Sequence, residues 1–200
     1  MDDKGWRFPT EEELTEAGTN GEAFGTKDHL YDFSRIREIY FKADPEYSGR
    51  FTVPVLWDKK LQTIVNNESS EILRMLNTEF NGVIDSQHAE VDLYPKELQS
   101  EIDELNSWIY DNINNGVYKS GFATTQEVYE KEAHNVFTHL DKVEKVLKTN
   151  QEKDSTHKFL IGNLLTEADV RLYTTIVRFD PVYHQHFKCN WKMIRHDYPF

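Results

Sequence analysis

Apolar positions change their spacing once along the chain. Up to Phe80 they fall into short groups, and after Pro95 they recur at helical intervals. Leu30, Phe33, Ile36, Ile39 and Tyr40 predict a helix from His29 to Lys42, which Asp44–Pro45 then stops. Phe51 to Trp57 and Thr63 to Val65 are β-like, and the polar DKKLQ between them makes a hairpin. Asn67 or Ser69 caps the next helix, with Ile72, Leu73, Leu76 and Phe80 on its apolar side. Asn81 to Leu93 reads as a polar linker. Leu98, Ile102, Leu105, Trp108, Ile109 and Ile113 then predict one long helix, and Thr125 to Lys148 a second. A third starts near Thr166, where Thr166–x–x–Asp169 is a capping pattern. Near the start, Pro9–Thr10 before Glu11–Glu13 opens a short helix, and TNGEAFG at 19–25 reads as a loop. No internal repeat is visible.

Composition narrows the class. Hydrophobic residues make up 38% of the 200 positions and aromatics 13%, enough to build a core. The formal net charge of -12 argues against nucleic acid and against an anionic membrane surface, which both need clustered Lys and Arg. No run approaches the roughly 20 apolar residues of a membrane helix, and the first thirty positions hold no signal-peptide core. The single cysteine, Cys189, allows no intrachain disulfide, which fits a reducing, cytoplasmic setting. The eight histidines suggest no metal site, since His184 and His186 are too close in sequence to share a helix face.

Candidate chemistry concentrates between Arg50 and Glu71. Proline cannot donate to a ladder, so Val53–Pro54 marks a sheet edge. A cis bond there would aim the Val53 N–H and C=O at an extended ligand; an ordinary edge strand with a trans proline fits the pair equally. Glu68–Ser69 opens a helix, whose free N–H groups and dipole favour a carboxylate. Ser69 suits that carboxylate and Glu68 an α-ammonium, although a plain helix cap explains both.

Five stretches carry a resemblance. They are GWRF at 5–8, ADPEYSGRFTVPVLWDKK at 43–60, NNESSEILRMLN at 66–77, IDELNSWIYDNINNGVYKSGFATTQEVY at 102–129 and LTEADVRLYTTIVRFDPVYHQHFKCN at 165–190. Together they resemble the xi-class, omega-like glutathione transferases, or glutathionyl-hydroquinone reductases. The resemblance implies an α/β plus all-α fold. A partial thioredoxin-like glutathione-binding domain at 1–82 keeps a β-hairpin and helix. A linker at 83–94 leads to an all-helical, incomplete C-terminal domain at 95–200.

The resemblance also implies roles. Trp6 lies against glutathione. Arg50, Phe51, Thr52 and Val53 line the tripeptide, Val53 by backbone pairing and Arg50 by a carboxylate contact. Glu68 and Ser69 grip the γ-glutamyl end. Tyr118 is the proton donor and acceptor near a quinone or hydroquinone substrate, a role a phenol can fill. Tyr110 is a weaker candidate for the same side. Read without the family, Tyr118 is an aromatic residue at a helix end. The implied partners are glutathione as co-substrate and quinone-type small molecules, in a homodimer.

The family nucleophile is the cysteine of a Cys-Pro-Trp-Ala motif at a helix start, where its thiolate is favoured. These 200 residues hold no such motif. Cys189, flanked by aromatics, reads as a buried structural thiol. The resemblance therefore implies a chain truncated at both ends. Two functions follow: a glutathione-dependent thiol oxidoreductase acting through a mixed disulfide, or a non-catalytic transferase-like binding or interaction module.

Overall fold

The computed structural model describes residues 5–16 and 25–200. Apart from Gly25, the loop expected at 19–25 lies outside the described residues. The chain divides into two compact units, 1–80 and 81–200.

In the first unit, α1 spans Glu11–Glu16 and α2 spans Ile36–Ala43. The start of α2 corrects the sequence reading. His29 to Ser34 does not join the helix, because the buried Asp28 carboxylate takes the N–H groups of Leu30, Tyr31 and Phe33. Amides held by that side chain make a turn instead of a helix. Glu38 then fixes the real beginning by accepting from the backbone N–H groups of Ser34 and Arg35.

The hairpin pairs β1 (Leu56–Asp58) with β2 (Thr63–Asn66) antiparallel, with an irregularity between Leu56 and Trp57. The expected strand from Phe51 is thus much shorter. Thr52 gives its carbonyl to the Tyr40 hydroxyl rather than to a neighbouring strand. The Val53–Pro54 bond is cis. Helix α3 covers Ser69–Thr78. Among the described residues of this unit only Asp28 and Tyr40 are buried.

The second unit opens with a 3-10 turn at Asn81–Val83 and the short α4 (Ser86–Ala89), where a linker was expected. Helix α5 (Gln99–Ile109) runs into a π-turn at Tyr110–Asn114 and on into α6 (Gly116–Gly121). Thr125 caps α7 (Gln126–Lys153) by accepting from the Val128 N–H. Helix α8 (Glu167–Arg178) meets a second π-turn at Phe179–Tyr183, then α9 (His184–His186). In each π-turn an N–H reaches back five residues, Asn115 to Tyr110 and His184 to Phe179. Helix α10 (Ile194–Asp197) ends the order.

This unit owns the apolar core. Ile102, Ile109, Ile113, Val117, Val136, Phe137 and Phe179 interlock with little or no exposure. At the start of α8, Asp169 accepts from the Thr166 N–H and hydroxyl, each at 2.9 Å, and from the Leu160 N–H at 2.8 Å. The capping pattern read from sequence is thus present and tied to a distant loop. Glu167 is buried beside it, held by Asn106 at 3.0 Å and Arg171 at 3.1 Å. The C-terminal residues Ile194, Tyr198 and Phe200 close an apolar cavity of about 420 Å³ against α7 and α8.

Candidate glutathione site

In the first unit one polar knot organises the candidate ligand segment. The Tyr40 hydroxyl donates to the Thr52 carbonyl at 2.8 Å. The Asn67 amide donates to that hydroxyl at 3.1 Å and to the Thr52 hydroxyl at 2.8 Å. Tyr40 is itself clamped by the Tyr47 ring at 4.9 Å and the Phe51 ring at 5.6 Å. Residues 52 and 67 are therefore joined, which brings Val53 and Glu68 to one place.

What this knot leaves open suits a ligand. Val53 is 43% exposed. The amides of Ser69, Ser70 and Glu71 precede the first helical bond of α3, from the Ile72 N–H to the Glu68 carbonyl. Among the described residues the Ser69 hydroxyl and the Arg50 guanidinium have no partner, while the Tyr47 hydroxyl ties down the Arg50 carbonyl at 3.0 Å. Glu68 receives the Ser70 hydroxyl at 3.3 Å. Neither predicted cap acts as one: Asn67 faces Tyr40 and Thr52, and Asn66 takes the Glu68 N–H at 2.6 Å. Trp6 stands apart from this cluster. Its carbonyl accepts from the Ile36 N–H at the start of α2, and its ring is 45% exposed.

Tyr40 and Asn67 were missed from sequence. Tyr40→Phe keeps the ring and removes the hydroxyl. It should lower stability by about 1–2 kcal/mol and speed hydrogen exchange at Val53, both readable by urea titration and amide exchange. Unchanged values for both would remove the knot from the site.

Tyr118 belongs to the second unit and is 39% exposed. Its hydroxyl lies 3.1 Å from that of Tyr183, and its ring packs edge-on against Tyr183 at 5.6 Å and Phe187 at 5.3 Å. Tyr110 sits at the first π-turn with the Arg171 guanidinium 5.6 Å over its ring. Cys189 is buried; burial pushes its thiol up, and the Ser120 hydroxyl only partly opposes this. Such a thiol is a poor source of thiolate.

Comparison with known proteins decides the family. The pattern described as "Glutathione S-transferase, C-terminal domain" matches residues 126–200. The Xi glutathione transferase ECM4 from Saccharomyces cerevisiae, solved in complex with glutathione, superposes with a TM-score of 0.89 at 48% identity, over 100% of this chain and 68% of that one. The chain belongs to the xi-class glutathione transferases. Among other xi-class relatives, the glutathionyl-hydroquinone reductase YqjG of Escherichia coli is 55% identical over 165 residues, covering 82% of this chain and 47% of that protein. "Glutathione S-transferase omega-like 2" of Saccharomyces cerevisiae is 55% identical over 188 residues, covering 88% of this chain and 51% of its own length. This xi-class chain thus spans about half the length of the curated relatives it matches. Among its described residues no group of three or more His, Cys, Asp and Glu side chains is placed to hold a metal, and no helix is long and apolar enough to cross a membrane.

Proposed function

We propose that the chain forms the glutathione-holding part of a thiol oxidoreductase that reduces glutathionyl-hydroquinones. The observation that carries this is the Tyr40–Thr52–Asn67 knot, which sets the exposed Val53 backbone beside the open N-terminus of α3. Val53 pairs with the tripeptide backbone, with Phe51 and Thr52 beside it. Ser69 and the α3 amides take the γ-glutamyl carboxylate, Glu68 its ammonium and Arg50 a second carboxylate. Trp6 covers the ligand. In the reaction a thiolate attacks the sulfur of the conjugate, a new S–S bond forms and the carbon–sulfur bond breaks. The hydroquinone leaves with the bonding pair and takes a proton, supplied by Tyr118. A second glutathione thiolate then releases glutathione disulfide and regenerates the nucleophile.

The nucleophile of this scheme is not among these 200 residues, and buried Cys189 does not replace it. The same observation favours the second reading, a non-catalytic transferase-like binding or interaction module. The proposal extends to a cytoplasmic homodimer with the domain limits 1–82 and 95–200.

Calorimetric titration with glutathione tests the grip. The chain should bind saturably, and Ser69→Ala and Glu68→Gln should each weaken binding about tenfold. Binding that is absent, or indifferent to both changes, sinks the glutathione reading. With benzoquinone–glutathione conjugates these residues alone should turn over weakly or not at all. Full activity would show that another group serves as nucleophile.

A further inference from the structure

Tyr183 has no role in the scheme above, yet it is among the largest fully buried side chains of the protein. It closes the second π-turn, and its ring is held by Phe179 at 6.4 Å and Phe187 at 5.5 Å as well as by Tyr118. Its carbonyl accepts from the Phe187 and Cys189 N–H groups at 3.2 and 3.1 Å. The ring therefore cannot easily turn. Among the described residues the Tyr118 hydroxyl is the one hydrogen-bond partner of the Tyr183 hydroxyl.

Two phenols at 3.1 Å share one hydrogen bond, so one donates and the other accepts. A buried hydroxyl has lost water and must use its O–H on the acceptor it has. The Tyr118 hydroxyl belongs to a half-exposed side chain, so its O–H can turn to solvent or ligand. Tyr183 is thus the donor. Its surroundings agree: burial first, then the Tyr118 hydroxyl, hold its phenol well above the ordinary tyrosine range, while the Arg178 guanidinium 5.8 Å over its ring pulls the other way. The other nearby groups add no charge that changes this. Lys119 gives its ammonium to the Asp111 carbonyl at 2.9 Å, and the Cys189 thiol stays protonated by burial.

We infer that Tyr183 is a positioning residue whose buried hydroxyl donates to the Tyr118 oxygen, so that the Tyr118 proton faces outward and the phenolate left after its transfer keeps a hydrogen bond. This rests on the reading of Tyr118 as the proton-transferring group. Its test needs neither turnover nor ligand, so failure of the glutathione reading leaves it intact.

The full chain is labelled with carbon-13 at tyrosine Cζ and followed by NMR as pH rises. Tyr118→Phe and Tyr183→Phe each remove one resonance and so assign the pair. In the unsubstituted chain the Tyr118 resonance should move before that of Tyr183. In Tyr183→Phe its movement should be delayed by about one pH unit, because the phenolate has lost a donor. A purely structural Tyr183 would not shift that titration. The proposal is overturned if Tyr183 moves first, or if a folded Tyr183→Phe leaves the Tyr118 movement in place or advances it. Should Tyr183→Phe fail to fold, the order in the unsubstituted chain decides alone.

Discussion

Asp169→Ala should destabilise the protein by about 3–4 kcal/mol, well above the ~1 kcal/mol of an ordinary helix cap. The excess comes from burial. One carboxylate satisfies the Thr166 N–H, the Thr166 hydroxyl and the Leu160 N–H, and both partner residues are almost wholly enclosed. Removing it leaves three donors with no acceptor and no route to water. Asp169→Asn, which keeps one oxygen in place, should recover part of the loss. Urea denaturation followed by circular dichroism measures both. A change under about 1 kcal/mol for the alanine variant would reduce this element to a surface cap.

Gly121→Ala should cost about 3 kcal/mol, at the upper end for overpacking by one methyl. The added Cβ would lie 2.3 Å from Cγ, 2.6 Å from Cδ1 and 2.7 Å from Cβ of Phe187. Contact with Cβ cannot be relieved by swinging the ring alone, so the backbone at Phe187 must move. That displaces a ring that packs on Tyr118, Phe122 and Tyr183. The near-ultraviolet circular dichroism of the aromatic cluster should change along with the melt. Phe187→Ala in the same chain should relieve much of the Gly121→Ala penalty, a coupling that a double-mutant cycle reads directly. Gly82→Ala, where an added Cβ meets nothing within 4 Å, should be close to neutral. Additive losses at 121 and 187 would place the clash elsewhere.

What the sequence made legible was local. Thr166 and Asp169 are three residues apart, so their capping geometry is written in the pattern itself. The apolar periods of α7 and α8 are long enough for their faces to be read without knowing the partner. The start of α2 was not legible, because a carboxylate upstream competes for the amides that a helix would use. The strand from Phe51 failed for a related reason: Tyr40, twelve positions away, takes the Thr52 carbonyl. The parts of the site that position others were the hardest to see. Asn67 meets Tyr40 across 27 positions and Tyr183 meets Tyr118 across 65, and no spacing rule links residues so far apart.

The two π-turns have a consequence for length rather than for composition. An α-helix turns about 100° per residue, so a residue gained or lost rotates everything beyond it by that angle. Tyr118 follows the first turn by four positions, and Tyr183 ends the second. Their meeting therefore depends on how many residues each turn holds, and much less on which ones. Most loops absorb a one-residue deletion quietly; here it would act as a rotation of the helix face, taking the two phenols out of reach while leaving every neighbouring side chain unchanged.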